Sequence, residues 1–235
     1  MSETQSLWYL ENIDVTNMLC PKKQAAGHVE KHLHRRFKKG EYIYLPDEHS
    51  DKMYFLTEGR VKIGTYSSSG KEITKAILGV GEVFGEMAII GEGKRRDFAY
   101  AMDDAEMCVL TVSDMKALMR DNSKISMFMV KLLGDRTRRM EKRLESLVFK
   151  DSRTRIVEFL HNLAMEKGRR IGYEREVRNF ITHQEIANLT ATSRQTVTTV
   201  LNELRNKNIL IFNRRRMLVR DMDLLAKEAI MEASA

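Results

Sequence analysis

Residues 182–204 read THQEIANLTATSRQTVTTVLNEL, and this stretch decides the fold of the C-terminal part of the chain. Thr182 is followed three residues later by Glu185, and this spacing predicts a capping box at the start of a short helix. The turn LTATS follows, after which Thr192 or Ser193 predicts the start of a second helix. Two short helices joined by a tight turn form a helix-turn-helix.

Each predicted helix has one apolar face. The residues expected to face inward are Ile186, Ala187 and Leu189 in the first helix and Val197, Val200, Leu201 and Leu204 in the second. The outer face of the second helix then carries Arg194, Gln195, Thr198, Thr199 and Asn202. Side chains of these types bind base edges in the major groove, and a helix that enters with its N-terminus forward presents them there. We therefore predict base readout by Arg194, Gln195, Thr198 and Thr199, and contacts with the DNA backbone by Thr182, Ser193 and Thr196.

The next segment, residues 209–219, reads ILIFNRRRMLV, two β-type runs around a polar tip. The tip carries Arg214, Arg215 and Arg216, and an arginine run by itself is most often a solvated charged loop. Because this run directly follows a helix-turn-helix pattern, it predicts a wing whose arginines contact DNA phosphates.

Residues 37–112 have a different sequence pattern, in which short apolar runs are separated by glycines. Short strands at nearly regular intervals predict an all-β domain, and periodicity alone does not choose among a jelly roll, a barrel and a sandwich. Further along, Leu133, Thr137, Met140, Leu144 and Leu147 alternate spacings of four and three, which is the pattern of a coiled-coil seam. Such a stripe either packs on its own domain or pairs two subunits, and its place between a β domain and a basic helical region favours a dimer.

A second long helix is predicted to follow, with Ile156, Phe159, Leu160 and Leu163 on one face. The sequence thus predicts three parts: a β domain over residues 1–120, a dimerisation helix over 121–150 and a DNA-binding domain over 151–235.

Composition limits the classes of partner. In 235 residues, Lys and Arg number 40 against 33 Asp and Glu, and the net charge of +7 favours a polyanion, either nucleic acid or an anionic membrane. No stretch approaches the roughly 20 apolar residues of a spanning helix, and the first residues do not form a secretory signal, so we expect a cytoplasmic protein without membrane contact. The two cysteines, Cys20 and Cys108, are far apart and predict reduced thiols, with neither a disulfide framework nor a thiolate metal site.

Several segments together resemble one family. Residues 181–204, ITHQEIANLTATSRQTVTTVLNEL, are similar to the DNA-binding segment of the cyclic AMP receptor protein and fumarate-nitrate regulator (CRP/FNR) family. Residues 70–101, GKEITKAILGVGEVFGEMAIIGEGKRRDFAYA, resemble its sensor domain, and residues 147–156, LVFKDSRTRI, resemble its hinge. The resemblance covers nearly the whole chain.

The resemblance implies an α+β fold with an N-terminal β jelly-roll sensor domain, a long dimerisation helix and a C-terminal winged helix-turn-helix. It implies a bacterial transcription regulator that binds a two-fold symmetric operator as a homodimer, with RNA polymerase as a partner if the protein is an activator. By the same resemblance Arg194 contacts guanine, whereas Gln195 replaces the usual Glu and Thr199 replaces an Arg of a well-known member. Glutamine suits adenine and a threonine methyl suits thymine, so we expect a half-site that departs from the familiar one.

Relatives that bind cyclic nucleotides use a Gly-Glu pair, an Arg and a small hydroxyl residue, which the resemblance places at Gly85, Glu86, Arg96 and Asp97. A carboxylate at the hydroxyl position repels a phosphate. The positions that contact the base correspond to Met140 and Glu141, which lack the hydroxyls of relatives. These departures argue against cyclic AMP and leave an unknown effector, another nucleotide, or a vestigial pocket in which Arg96 and Asp97 form an ion pair.

Other sensor chemistries and function classes are disfavoured. Two cysteines cannot hold an iron-sulfur cluster, and His28, His32 and His34 lie among basic residues, which favours solvated histidines over a haem or metal ligand set. No nucleophile and base pattern, phosphate loop or zinc-protease motif is present, so we expect no enzymatic activity. The remaining alternative is a cyclic-nucleotide-type regulatory or protein-interaction module without DNA readout.

Overall fold

The structure is a computed structural model that describes residues 9–10, 13–14, 33–91 and 93–230. The chain divides into two units, Met1–Arg136 and Thr137–Ala235. The division falls inside a long helix, and the three-part division expected from the sequence stays a prediction.

The first unit is built on antiparallel strands. A short pair, Tyr9–Leu10 (β1) and Ile13–Asp14 (β2), precedes two four-stranded sheets. Their strands are Leu33–Phe37 (β3), Tyr42–Tyr44 (β4), Lys52–Glu58 (β5), Val61–Tyr66 (β6), Glu72–Leu78 (β7), Val83–Phe84 (β8), Phe98–Ala101 (β9) and Ala105–Thr111 (β10). One sheet has the order β3-β10-β5-β8 and the other β4-β9-β6-β7. One hydrophobic core contains residues of both sheets, among them Leu56, Val61 and Met107, which confirms the β jelly roll.

Close packing inside the roll explains one of its glycines. The ring of Phe98, which is fully buried, lies across Gly64 of the neighbouring strand. A Cβ atom at Gly64 would stand 2.4 Å from Phe98 Cζ and 2.8 Å from the carbonyl oxygen of Ile73. Because one of these neighbours is backbone, only glycine is accommodated here without a shift of the sheet.

Two helices follow the roll, Val112–Asp121 (α1) and Ser123–Phe149 (α2). The first part of α2 contributes Ile125, Phe128, Met129 and Leu132 to a buried core shared with the β-roll residues Met53 and Phe55. Along the rest of α2 large apolar side chains are exposed, including Met140 at 72%, Leu144 at 64% and Leu147 at 43%. Of the other residues in the predicted seam, Leu133 is half-buried and Thr137 is exposed.

The described part of the second unit contains the end of α2, four further helices and one sheet. The helices are Ser152–Lys167 (α3), His183–Thr190 (α4), Arg194–Asn206 (α5) and Met222–Glu228 (α6). The strands are Arg169–Ile171 (β11), Glu174–Arg178 (β12), Leu210–Phe212 (β13) and Arg216–Val219 (β14), in the order β11-β12-β14-β13. The pair α4 and α5 with the β13–β14 hairpin confirms a winged helix-turn-helix and a mixed fold.

Most apolar positions predicted from periodicity are buried. In α5 these are Val197, Val200, Leu201 and Leu204, and in α4 they are Ile186 and Ala187, whereas Leu189 is only half-buried. In α3 the predicted face has Ile156 and Leu160 buried and Phe159 and Leu163 half-buried, and Val157 and Ala164 are buried as well. The helix buries a broader face than one stripe, since it contacts α4, α5, α6 and β12.

Two further expectations are addressed by the described residues. No helix within these residues combines the length and apolar content of a membrane span. Cys108 is fully buried and disulfide-bonded, so the expectation of a reduced thiol there was wrong. Sequence spacing did not reveal this because a disulfide depends on how distant segments meet in space. Cys20, His28 and His32 lie outside the described residues.

Candidate nucleic-acid interface and sensor pocket

Side-chain caps begin both helices of the helix-turn-helix. Thr182 Oγ1 accepts from the backbone amide of Glu185 at 3.2 Å, and Glu185 Oε2 accepts from the Thr182 amide at 2.8 Å. This is the predicted capping box. Ser193 caps α5 by accepting from the Thr196 amide at 3.0 Å. Between the helices Ala191 has φ of 52°, a left-handed conformation that turns the chain sharply.

The outward face of α5 presents the predicted base-reading residues unequally. Arg194, Gln195 and Thr199 are exposed, whereas Thr198 is half-buried. The hydroxyl of Thr198 donates to the Arg194 carbonyl oxygen at 2.9 Å, and that of Thr199 donates to the Gln195 carbonyl oxygen at 3.2 Å. A hydroxyl has a single proton, so in this geometry both threonines offer a partner only an acceptor or a methyl group.

Sequence reasoning missed a histidine at this surface. His183, the first residue of α4, places Nδ1 2.9 Å from Thr198 Oγ1 on α5, and its ring lies 5.7 Å from the ring of Phe212 on β13. Burial and then the nearby charge of Arg194 lower the pKa of His183 below its usual value. The only local signal in the sequence is that a histidine follows the cap Thr182, which does not by itself indicate a function.

The β13–β14 hairpin is closed by a side chain at its tip. Asn213 Oδ1 accepts from the backbone amides of Arg215 at 2.8 Å and Arg216 at 2.9 Å. Arg214 and Arg215 are exposed. The guanidinium of Arg216 instead donates to Glu176 on β12 at 3.3 Å, so part of its charge is neutralised inside the sheet.

Two arginines of α3, Arg153 and Arg155, bind the helix-turn-helix through contacts that the periodicity of the sequence did not predict. Arg155 donates to the carbonyl oxygens of Thr190, at the end of α4, at 2.9 Å and of Ala191, in the turn before α5, at 3.2 Å. It also donates to the carbonyl oxygen of Lys150 at 2.7 Å. Arg153 binds Glu203 on α5 at 2.7 Å. The turn and the reading helix are thus fixed to the same helix.

Gly85 and Glu86, two residues of the predicted pocket, follow β8 in the β roll. Gly85 has φ of 76°, and a Cβ there would stand 3.0 Å from both Arg95 Nη1 and the Lys52 carbonyl oxygen. The Glu86 side chain is only 2% exposed and binds the guanidinium of Arg136, which also donates to the Val83 carbonyl oxygen at 2.6 Å. Glu86 Oε2 has no hydrogen-bond partner within the described part of the chain.

The arginine that contacts Gly85 is Arg95, the residue before the predicted Arg96. Arg95 is 5% exposed, donates to the carbonyl oxygens of Gly85 at 3.1 Å and Lys52 at 2.5 Å, and lies 4.4 Å from the centre of the Tyr44 ring. Arg96 is exposed.

Of the remaining predicted pocket residues, Asp97 lies in the first unit, and Met140 and Glu141 lie on α2. Asp97 pairs with Lys75 of β7 at 3.3 Å. Met140 and Glu141 are exposed residues of α2 that belong to the second unit. Among the described residues, no cluster of three His, Cys, Asp or Glu side chains has the geometry of a metal site. His34 lies 3.4 Å from Glu106.

Comparisons with known proteins give both halves the same assignment. Residues 34–122 match the family of the cyclic nucleotide-binding domain, and residues 154–228 match that of the Crp-like helix-turn-helix domain. The cyclic AMP receptor protein of Thermus thermophilus is 31% identical over 195 residues, which are 83% of this chain and 87% of that protein. The CRP-like cAMP-activated global transcriptional regulator of Mycobacterium tuberculosis is 28% identical over 193 residues, 82% of this chain and 86% of that one.

Solved structures agree with this assignment. A CRP-family transcriptional regulator from Thermus thermophilus has a TM-score of 0.69 at 30% identity, with 85% of this chain and 100% of that chain covered. A CooA variant from Carboxydothermus hydrogenoformans has a TM-score of 0.76 at 27% identity, with 92% and 94% covered. The chain therefore belongs to the CRP/FNR family of transcription regulators, with a cyclic nucleotide-binding domain followed by a Crp-like helix-turn-helix DNA-binding domain.

Proposed function

We propose that the protein is a homodimeric transcription regulator that reads a two-fold symmetric operator through α5. The observation that carries this proposal is the capped start of α5, where Arg194 and Gln195 are exposed, together with the exposed wing arginines Arg214 and Arg215. An exposed helix N-terminus has free amides and a positive partial charge, which suit phosphates on either side of a groove. The family's regulators are not enzymes, and we assign this chain no enzymatic role.

Base readout falls to three side chains. Arg194 has the length and fork for a bidentate contact with guanine, and Gln195 suits adenine. The hydroxyl proton of Thr199 is already donated to the Gln195 carbonyl oxygen, so Thr199 offers a methyl group to thymine or an acceptor to a base amine. Thr198 is half-buried, and we give it a supporting role.

Backbone contacts come from the helix starts and the wing. We propose that Thr182, Ser193 and Thr196 place the amides of α4 and α5 against phosphates, since their own hydroxyls already act in the caps. Arg214 and Arg215 bind phosphates as exposed charges, and Arg216 contributes less because it is paired with Glu176.

The dimer seam is the stripe of α2 that comprises Leu133, Thr137, Met140, Leu144 and Leu147, of which Leu133 is half-buried and the others are exposed. Three of these, Met140, Leu144 and Leu147, are large apolar side chains that are 43% to 72% exposed in a single chain. Their alternating spacing of three and four places them on one side of a helix, where a second copy of the same helix packs against them.

For the sensor domain we propose that cyclic AMP is not the effector. Arg95 already donates to two carbonyl oxygens, Glu86 is occupied by Arg136, and Asp97 adds a negative charge to this region of the roll. Either a different small molecule binds there or the pocket is vestigial. Titration calorimetry with cyclic AMP tests this, because micromolar binding that strengthens operator affinity would contradict it.

Selection of binding sites from random duplexes, with and without cell extract, tests the proposed function. We expect a two-fold symmetric motif with half-sites about one helical turn apart, near 10 base pairs. A monomer in solution that prefers no duplex at moderate salt would refute the proposal and favour a protein-interaction module. Transcription from a promoter that carries the selected site then shows whether RNA polymerase is recruited or blocked.

Two variants separate base readout from backbone contact. Arg194→Ala is expected to cost about 1–3 kcal/mol on the selected duplex and to relax preference at one base pair in each half-site. Arg215→Ala is expected to weaken binding to all duplexes alike. It should also reduce the slope of the logarithm of the binding constant against the logarithm of the salt concentration by about one per subunit. Arg169→Ala, on the far strand of the same sheet, is the matched control for loss of a positive charge. Equal losses on selected and scrambled duplexes for Arg194→Ala would contradict its assignment.

A further inference from the structure

His183 lies where the two helices of the helix-turn-helix and the wing meet. It begins α4, its Nδ1 is 2.9 Å from Thr198 Oγ1 on α5, and its ring is tilted against Phe212 of β13. His183 therefore contacts both other elements. Its side chain is half-buried, so part of it still reaches the surface.

The hydrogen bonds of Thr198 fix which ring nitrogen of His183 carries a proton. The single hydroxyl proton of Thr198 is donated to the Arg194 carbonyl oxygen at 2.9 Å. Toward His183 the hydroxyl oxygen can therefore only accept, so Nδ1 is the protonated nitrogen. A second proton added at Nε2 would leave this hydrogen bond intact, because the imidazolium also donates through Nδ1.

The charged groups around His183 are mainly cationic. On α5, the charge of Arg194 acts on His183 and lowers its pKa, and Arg205 lies 5.5 Å from the ring of Phe212. On α4 the carboxylate of Glu185 is turned to the amide and hydroxyl of Thr182, at 2.8 and 2.9 Å. Burial and Arg194 keep the pKa of His183 below its usual value, so the free protein holds a neutral imidazole at pH 7.

We propose that His183 is a positioning residue for DNA reading, which holds Thr198 and the start of α5 in place and takes up a proton when DNA phosphates approach. This inference rests on the proposed function. A bound duplex brings a dense row of negative phosphate charges next to these cationic groups. These negative charges favour the imidazolium form of His183. Binding and protonation are then linked, so affinity rises as the pH falls.

Fluorescence anisotropy with the full-length protein tests this at constant ionic strength between pH 6 and pH 8. The probes are the duplex obtained by selection and a scrambled duplex of the same composition. For the unmodified protein we expect about 3- to 10-fold tighter binding to both probes at pH 6 than at pH 8. His161→Asn, on α3, is the control and should retain this dependence.

Substitutions at the pair separate positioning from protonation. His183→Asn keeps a donor near Thr198 but cannot become charged, so it should lose the extra pH dependence and keep the preference for the selected duplex. His183→Ala should lose both, with the preference reduced about 3- to 10-fold. Thr198→Val removes the acceptor and leaves the imidazole, so it should lower the preference and keep the pH dependence even if His183→Ala fails to fold.

The possible results distinguish this inference from the proposed function. An unmodified protein that binds no duplex at any pH overturns both. Binding with a sequence preference but without pH dependence overturns only the role of His183. The same conclusion follows if His183→Asn retains the full pH dependence, or if Thr198→Val keeps the full preference for the selected duplex.

Discussion

Replacing Arg153 by Met is expected to loosen α5 without touching the surface that we assign to DNA. Arg153 lies on α3 with a side chain that is 16% exposed. It donates to Glu203 of α5 at 2.7 Å and to the carbonyl oxygen of Glu228 of α6 at 3.0 Å, and it also binds the carboxylate of Glu228. Lys207 completes the group by binding Glu228 at 2.9 Å and Glu203 at 3.2 Å.

The expected loss of unfolding free energy in Arg153→Met follows from the exposure of the two carboxylates that Arg153 binds. The Glu228 side chain is 15% exposed, so its charge-assisted bonds with Arg153 contribute about 1.5–3 kcal/mol. The Glu203 side chain is 36% exposed, and solvent reduces that pair to about 0.5 kcal/mol. We therefore expect Arg153→Met to lower the free energy of unfolding of the second unit by about 2–3 kcal/mol. Lys207→Met is the matched control, because Lys207 is 46% exposed and its loss should cost less than about 1 kcal/mol.

The same group predicts a pH dependence. The hydrogen bond from Arg153 lowers the pKa of Glu203, and although burial raises the pKa of Glu228, hydrogen bonds from Lys207 and Arg153 lower it overall. A carboxylate with a lowered pKa contributes stability that is fully present above its unfolded value, near 4.5, and is lost as the pH falls through the folded value. The difference in stability between the unmodified protein and Arg153→Met should therefore shrink below about pH 4.

Chemical denaturation followed by circular dichroism, with hydrogen exchange of peptides from α5, measures these effects. We expect faster exchange over Arg194–Asn206 in Arg153→Met than in Lys207→Met. A loss below about 0.5 kcal/mol for Arg153→Met, or equal losses for the two variants, would show that the group contributes only as exposed ion pairs do.

Three shorter predictions concern other positions. Gly64→Ala should lower the free energy of unfolding of the β roll by about 1–3 kcal/mol, because its Cβ would meet Phe98 and backbone. Gly70→Ala, at a position with φ of 77° and open space, should lower it by about 1 kcal/mol. Urea denaturation compares the two variants. Ser193→Ala should cost about 1 kcal/mol by removing the cap of α5, and a melting temperature unchanged from that of the unmodified protein would contradict it. Arg155→Lys should cost about 1–2 kcal/mol, since an ammonium cannot reach three carbonyl oxygens at once, and thermal unfolding detects this.

The local elements of the DNA-binding unit could be predicted from the sequence alone. Thr182 and Glu185 form the expected capping box, Ser193 caps α5, and the β13–β14 hairpin surrounds the expected tip. These features depend on side chains three or four residues apart, or on the periodicity of one helix, so the printed sequence contains all of their interacting partners.

Only the tertiary structure decided which charges and polar groups meet across the fold. It placed Arg95 beside Gly85, joined His183 to Thr198, and paired Arg153 with Glu203, 50 residues further along the chain. Each pairing depends on the path of a loop or on how two helices pack. Spacing within the sequence does not fix these relations, because they arise from contacts between segments that are distant along the chain.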